Sequence, residues 1–120
     1  MRKKIELRHG GHVEIDTSIS LNTVRNAMPK FFSTQFGKRE TYEVYQGCLI
    51  ARHTVQFTGC RPKRETCIYL ITLEKGKDGK EQMDTLLMAT RVNIRPQAAK
   101  RLIDKAIEAG SEWPTGDTCT

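Results

Sequence analysis

Two cysteines bracket a short basic loop in the segment "FTGCRPKRETCIY", residues 57–69. Cys60 and Cys67 could be metal ligands, the two ends of a disulfide, or small residues beside a loop that binds an acidic partner. The loop holds three cations within four residues, and Pro62 stiffens its backbone. A stiff loop loses less conformational entropy when it binds. The first candidate binding residues are Arg61, Lys63 and Arg64.

The cysteine and histidine residues are spaced too widely for a structural zinc site. Such sites usually pair their ligands about two to four residues apart in a tight turn. Four, six and six residues intervene between the successive candidates Cys48, His53, Cys60 and Cys67. Cys48 and His53 would lie on opposite faces of a regular strand, because successive residues alternate. We therefore expect no metal and no other cofactor.

A disulfide between Cys60 and Cys67 is geometrically possible, because the ends of a hairpin loop lie close together. The basic start "MRKKIEL" is not followed by the apolar stretch of a secretory signal. No apolar run approaches the roughly 18 residues of a membrane span, so we expect no membrane partner. The expected location is cytoplasmic, where thiols stay reduced. Cys48 and Cys67 are then interpreted as small buried residues.

Positive charge is concentrated in the body of the chain. The net charge is +6, but residues 1–105 carry +9 and residues 106–120 carry −3. A basic body attracts polyanions such as nucleic acid, or an acidic or nucleoprotein partner. The basic turn "KGKDGK" lies at the opposite strand end from the Cys60–Cys67 loop, so we expect two separate surfaces. Further candidate binding residues are Lys38 and Arg39 after the first helix, and Lys100 and Arg101 on the closing helix.

Hydrophobic patterning predicts an α+β fold, mainly antiparallel sheet in the order β-β-α-β-β-β-β-α, with two helices packed on one face. A Gly-Gly turn joins the first two strands. Ser18 or Ser20 caps a helix that Pro29 kinks or restarts and Gly37 ends. Pro96 begins the closing helix and Gly110 ends it. The last strand is expected to bury one face, Leu86, Met88, Val92 and Ile94. The closing helix is expected to bury Ala99, Leu102, Ile103, Ala106 and Ile107.

Residues 1–113 are predicted to form a single α+β domain and residues 114–120 a mobile C-terminal tail.

His53 alternates with apolar neighbours, which favours a hydrogen-bonded core residue. A catalytic interpretation would make it a general acid or base. Three tyrosines could offer stacking faces beside the charges, namely Tyr42, Tyr45 and Tyr69.

Three functions fit these features. The first is a small basic, non-enzymatic protein that contacts nucleic acid through the basic hairpin loop. The second is an inhibitor or adaptor of the phage or plasmid type, docking on a larger protein or nucleoprotein complex such as a host defence complex. It rests on the absence of catalytic motifs. The third is a metal-independent ribonuclease toxin using His53, Arg52, Arg61 and Glu65. The basic charge and the "RPKR" loop favour the first.

Overall fold

The computed structural model describes residues 1–7, 11–33, 41–55 and 58–109. Its strands are β1 Arg2–Glu6, β2 His12–Asp16, β3 Thr41–Tyr45, β4 Cys48–Val55, β5 Lys63–Lys75 and β6 Glu81–Val92. Its helices are α1 Leu21–Ala27, α2 Pro29–Ser33 and α3 Pro96–Ala109. The predicted α+β architecture with a mainly antiparallel sheet is confirmed. The observed order, β-β-α-α-β-β-β-β-α, has one helix more than the predicted order.

All six strands belong to one sheet, with β5 as its central strand. β6 pairs along one edge of β5, from Glu65 to Lys75. Along the other edge, β4 pairs with the first part of β5, and β2 meets it further on, at Glu14 and Leu73. β1 flanks β2 and β3 flanks β4, each antiparallel. The sheet therefore consists of two short hairpins set beside one long hairpin.

The turn between β3 and β4 packs against β2 of the other short hairpin. Gln46 and Gly47 both have positive φ, 52° and 78°, as a two-residue type I′ turn requires. A Cβ added at Gly47 would lie 3.1 Å from Cδ1 of Ile15 and 3.2 Å from the carbonyl oxygen of Asp16. Glycine thus lets the turn approach β2 closely.

Two hydrophobic cores lie on opposite faces of the sheet. On the α3 face, Ile103 of α3 packs in one cluster with Ile50 of β4. On the α1–α2 face, Val24 of α1 packs with Leu49, which neighbours Ile50 in β4. Successive strand residues point to opposite faces. The prediction that both helical segments pack on one face is therefore wrong.

The reason for this difference is visible in the central strands. β4 begins "CLIA" and β5 contains "CIYLITL", so both are apolar at successive positions rather than at alternate ones. A strand of this kind is buried on both faces. Each face of the sheet centre therefore needs its own cover, α1 and α2 on one side and α3 on the other.

The last strand does not bury the single face that the sequence predicted, namely Leu86, Met88, Val92 and Ile94, because a β-bulge interrupts it. The pairing shifts opposite the Ile68–Tyr69 step, which makes Met88 an extra residue. Met88 is 2% exposed, whereas Leu86 is 36% and Val92 is 50% exposed. The extra residue reverses the alternation of buried and exposed positions along β6.

Local signals for the helices are confirmed within the described residues. The backbone N–H of Thr23 donates to the Ser20 side chain at 3.2 Å, which caps α1. Pro29 restarts the chain as α2 after α1 ends. The predicted helix stops at Gly37 and Gly110 lie outside the described residues.

Pro96 is the first residue of α3, as predicted. Four residues of the predicted stripe, Ala99, Ile103, Ala106 and Ile107, belong to or pack against the α3-face core. Leu102 departs from the prediction, being 37% exposed at the margin of the stripe. The predicted tail, residues 114–120, lies outside the described residues. Among the helices of the described ranges, none is both long enough and apolar enough to cross a membrane.

Candidate nucleic-acid interface

Four strand ends meet at one end of the sheet. Val55, the last residue of β4, pairs with Lys63, the first residue of β5. The last residue of β6, Val92, lies across from Glu65. Thr41, the first residue of β3, pairs with Arg52 near the end of β4. Antiparallel pairing therefore brings together segments that are far apart in the sequence.

Basic residues are concentrated at this place. Residues 51–55, 61–67 and 89–95 contain six Lys or Arg and a single acid, Glu65. We call these six residues the basic sheet end: Arg52, Arg61, Lys63, Arg64, Arg91 and Arg95. They include five of the ten arginines of the chain but one of its ten lysines.

Arginines of two separate strands share the α3 face. Arg52 of β4 and Arg91 of β6 both pair with Thr66 of β5, one from each side. Their backbones are therefore about 10 Å apart, twice the usual strand spacing. Thr66 is buried and its hydroxyl donates to the carbonyl oxygen of Ile94 at 3.3 Å. The two arginines thus stand on a rigid part of the sheet.

The chain after β6 is fastened beside the start of β5. Asn93 has a φ of 60° and its N–H donates to the carbonyl oxygen of Arg64 at 2.8 Å. Asparagine adopts this left-handed conformation more readily than most residues. The guanidinium of Arg64 donates to Oγ1 of Thr54 at 3.2 Å. This turn leads to Arg95, which is exposed and lies immediately before α3.

The loop that the sequence singled out belongs to the basic sheet end. Arg61, Pro62 and Lys63 are exposed, and Arg64 is half-buried at the start of β5. The basic turn at residues 75–80 lies at the other end of β5. Thirteen residues form this strand, so roughly 40 Å separate its ends. The prediction that the two loops form separate surfaces is confirmed.

The three cysteines within the described residues lie in different environments. Cys60 is exposed, whereas Cys67 and Cys48 are buried, and all three are free thiols. Burial raises the pKa of the Cys67 thiol and raises the pKa of Cys48 to about 12. In the absence of a bound metal, both buried thiols therefore stay protonated at neutral pH and are poor nucleophiles.

The structure brings together two of the four residues of the ribonuclease hypothesis and separates them from the other two. His53 is 4% exposed, and its Nε2 lies 3.7 Å from Oε1 of Glu65 on the α1–α2 face. Arg52 precedes His53 in β4 and points to the α3 face. Arg61 lies in the exposed loop outside the strands. Arg52 therefore cannot act beside His53, and the imidazole has little access to a substrate.

The two candidate binding residues on α3 differ in whether their charge is paired within the fold. Nζ of Lys100 lies 2.6 Å from Oε1 of Glu43 and 5.5 Å from the ring centre of Tyr45. Arg101 is exposed, about 9 Å along the helix from Arg95. The charge of Arg101 is exposed, whereas the charge of Lys100 is balanced locally. Two other candidates, Lys38 and Arg39, lie outside the described residues and precede β3 in the sequence.

The three candidate stacking tyrosines are engaged within the fold. The ring centre of Tyr42 is 4.8 Å from that of Phe32, and the ring centre of Tyr69 is 5.2 Å from that of Phe31, each edge to face. The hydroxyl of Tyr45 donates to the Asp104 carboxylate at 2.8 Å. These tyrosines therefore contribute to packing within the fold, and the stacking role stays a prediction.

Sequence reasoning missed Arg91, did not connect Arg95 with the loop, and grouped Arg52 with the loop residue Arg61 only in the ribonuclease hypothesis. Their proximity depends on the strand register, which has no local signal in the sequence.

Comparison of the chain with protein-family models, with curated proteins and with solved structures found no match.

Proposed function

We propose that the protein is a small, non-enzymatic binding protein whose basic sheet end contacts the phosphate backbone of nucleic acid. The observation that carries this proposal is the segregation of arginine. Five of ten arginines and one of ten lysines gather in three segments that contain a single acid. The turn at the other end of the long hairpin has three lysines and no arginine within residues 75–80.

Arginine suits phosphate better than lysine does. Its planar guanidinium presents several N–H donors in a fixed fork that matches two phosphate oxygens at once. Solubility alone would be served equally by lysine, which dominates the other end of the hairpin. The choice of arginine at the basic sheet end therefore supports recognition of anionic oxygens.

The dimensions of the surface favour a ligand with several phosphates. The backbones of Arg52 and Arg91 are about 10 Å apart, on the two strands that flank β5. Arg61 and Lys63 extend the positive surface into the exposed loop, and Arg95 extends it toward α3. A single small anion could not contact all of these residues. A nucleic-acid backbone presents charges at repeated intervals and could.

The packing of the aromatic rings supports contact with the backbone rather than with bases. Proteins that bind single strands usually stack bases on aromatic side chains. The described phenylalanines and tyrosines instead contact one another or a carboxylate within the fold. We therefore propose a duplex ligand, bound without sequence preference. A cytoplasmic location, where the free thiols would stay reduced, agrees with this role.

The test is a fluorescence-anisotropy titration of labelled duplex DNA, duplex RNA and a single strand of the same length, at several salt concentrations. Binding should weaken with salt, and the log–log slope should be about 0.9 for each phosphate neutralised on duplex DNA. The duplexes should bind more tightly than the single strand. The absence of salt-sensitive binding to any of the three would overturn the proposal.

Docking on a protein or nucleoprotein complex is the second candidate. Within the described residues β6 pairs with β5 alone, so its outer edge carries no other strand. Leu86 and Val92 on this strand are exposed apolar residues. Exposed strand edges can accept a strand from a partner. If nucleic acid does not bind, and changing Arg61, Lys63 and Arg64 to alanine removes a host protein in a pull-down, docking is the better account.

A further inference from the structure

Three side chains able to bind a metal converge on the α1–α2 face. His53 of β4 pairs across the sheet with Glu65 of β5. Cys67 follows two residues after Glu65 and therefore points to the same face. One potential ligand atom from each residue lies within 4.8 Å of the other two. This cluster is separate from the arginines of the α3 face.

The distances are close to those of a metal site. Oε1 of Glu65 is 3.7 Å from Nε2 of His53 and 3.7 Å from Sγ of Cys67. Zinc bonds of about 2.0–2.3 Å at tetrahedral angles place ligand atoms about 3.3–3.6 Å apart. Small side-chain rotations would bring these three atoms to that spacing. The strand backbones would not need to move.

The chemical types of these three ligand atoms indicate which metal ion the cluster would bind. A thiolate, an imidazole and a carboxylate suit a borderline-soft ion, whereas magnesium and calcium prefer oxygen ligands alone. The thiolate and the carboxylate carry two negative charges, which would balance a divalent cation. We propose that His53, Glu65 and Cys67 form a mononuclear zinc site with one coordination position left for water.

The burial and hydrogen bonding of the three side chains are suited to zinc binding. The side chains of His53 and Cys67 are almost fully buried, so most of the metal's surroundings would be shielded from bulk solvent. Glu65 is partly exposed and offers a route for the ion. The hydroxyl of Thr90 donates to Sγ of Cys67 at 3.8 Å, and such outer hydrogen bonds orient the ligands of metal sites. Sequence reasoning expected no metal because it looked for cysteine and histidine ligands and did not include Glu65.

The experiment titrates metal into the full chain after removal of bound ions by a chelator, under a phosphine reductant. Zinc should bind with one equivalent per chain, measured by competition with a chromogenic chelator. Cobalt should give a thiolate-to-metal charge-transfer band and the visible absorption of a tetrahedral site. Cys67→Ser should abolish the charge-transfer band. Cys60→Ser, a change of the exposed cysteine, should retain it.

Glu65→Gln provides a second test, because this partly exposed residue can be changed without altering its size. Zinc affinity should fall by more than about tenfold, since even changes outside the ligand shell cost roughly 10–100-fold. Far-ultraviolet circular dichroism would verify folding, and Glu65→Gln decides if Cys67→Ser fails to fold. The site is refuted if the intact chain binds no zinc, if the band survives Cys67→Ser, or if Glu65→Gln leaves the affinity unchanged.

Discussion

Arg52 and Arg91 lie on the same face of the sheet, on either side of buried Thr66. Thirty-eight residues separate them in the sequence, and the register of β5 with its two neighbours brings them together. Their backbones are about 10 Å apart on a rigid sheet, and we propose that this arrangement preorganises a surface for anions. Contact with nucleic-acid phosphates through this surface and the adjoining loop is the central claim.

Replacing exposed arginines by lysine should weaken nucleic-acid binding although the net charge is unchanged. In the double variant Arg61→Lys, Arg95→Lys, each residue loses the fork that can bond two phosphate oxygens. One net hydrogen bond is worth about 0.5–1.5 kcal/mol, so each change should raise Kd by roughly 2–10-fold. Anisotropy at one fixed salt concentration measures the effect. The reciprocal variant Lys63→Arg should bind as tightly as the intact protein or more tightly. Equal affinity of the arginine and lysine forms would show that charge alone matters.

Lys100 and Arg101 should respond differently to replacement by alanine. Lys100→Ala removes an ion pair with Glu43 on a half-exposed surface, which should cost at most about 1 kcal/mol of unfolding free energy. Its effect on nucleic-acid binding should be small. Arg101→Ala should leave stability unchanged and weaken binding. Urea denaturation and anisotropy on both variants test this assignment, and the reverse pattern would refute it.

His53→Ala should mainly destabilise the fold. The imidazole is buried beside Glu65 and Cys67, so its loss removes packing and a polar partner. The expected loss of unfolding free energy is about 1–3 kcal/mol, measured by urea denaturation in the presence of a chelator. Nucleic-acid binding by the folded fraction should be retained. Unchanged stability together with the loss of an RNA-cleaving activity would instead identify His53 as catalytic.

Gly47→Ala should destabilise the protein more than Gly59→Ala. Both glycines have positive φ, 78° and 79°, so each change imposes backbone strain of about 1–2 kcal/mol. A Cβ at Gly47 would also crowd Ile15, whereas a Cβ at Gly59 meets no atom within 4 Å. The difference between the two variants in urea denaturation therefore measures the contact between the two short hairpins. Equal losses would show that this contact is not tight.

The sequence carries strong local signals for most elements of this fold. The Ser20 cap, Pro29 and Pro96 mark where helices begin, and alternating apolar residues mark the first hairpin. The prediction that both helical segments cover one face was wrong, although the sequence of the central strands indicates two buried faces. The consecutive apolar residues of β4 and β5 require a cover on both faces.

Other features depend on cross-strand register and could not be derived locally. The bulge at Met88 arises only when β6 is aligned with β5. The same alignment carries Arg91 to the basic sheet end, and the alignment of β4 with β5 brings His53 to Glu65. The basic loop was visible in the sequence because its cations are neighbours along the chain. The rest of the surface is assembled by strand pairing.

The most direct test of the central claim compares two triple variants that remove the same charge. One changes Arg61, Lys63 and Arg64 to alanine at the basic sheet end. The other changes three lysines at the opposite end of the long hairpin, namely Lys75, Lys77 and Lys80. Each lowers the net charge by three, so long-range attraction is reduced by a similar amount.

The measurement is the salt dependence of duplex DNA binding by the intact protein and by both variants. The first variant should bind more weakly, and its log–log slope should be shallower by roughly two to three, at about 0.9 for each lost phosphate contact. The second variant should keep a slope close to that of the intact protein. Equal loss of affinity and slope in both variants would contradict a localised interface at the basic sheet end.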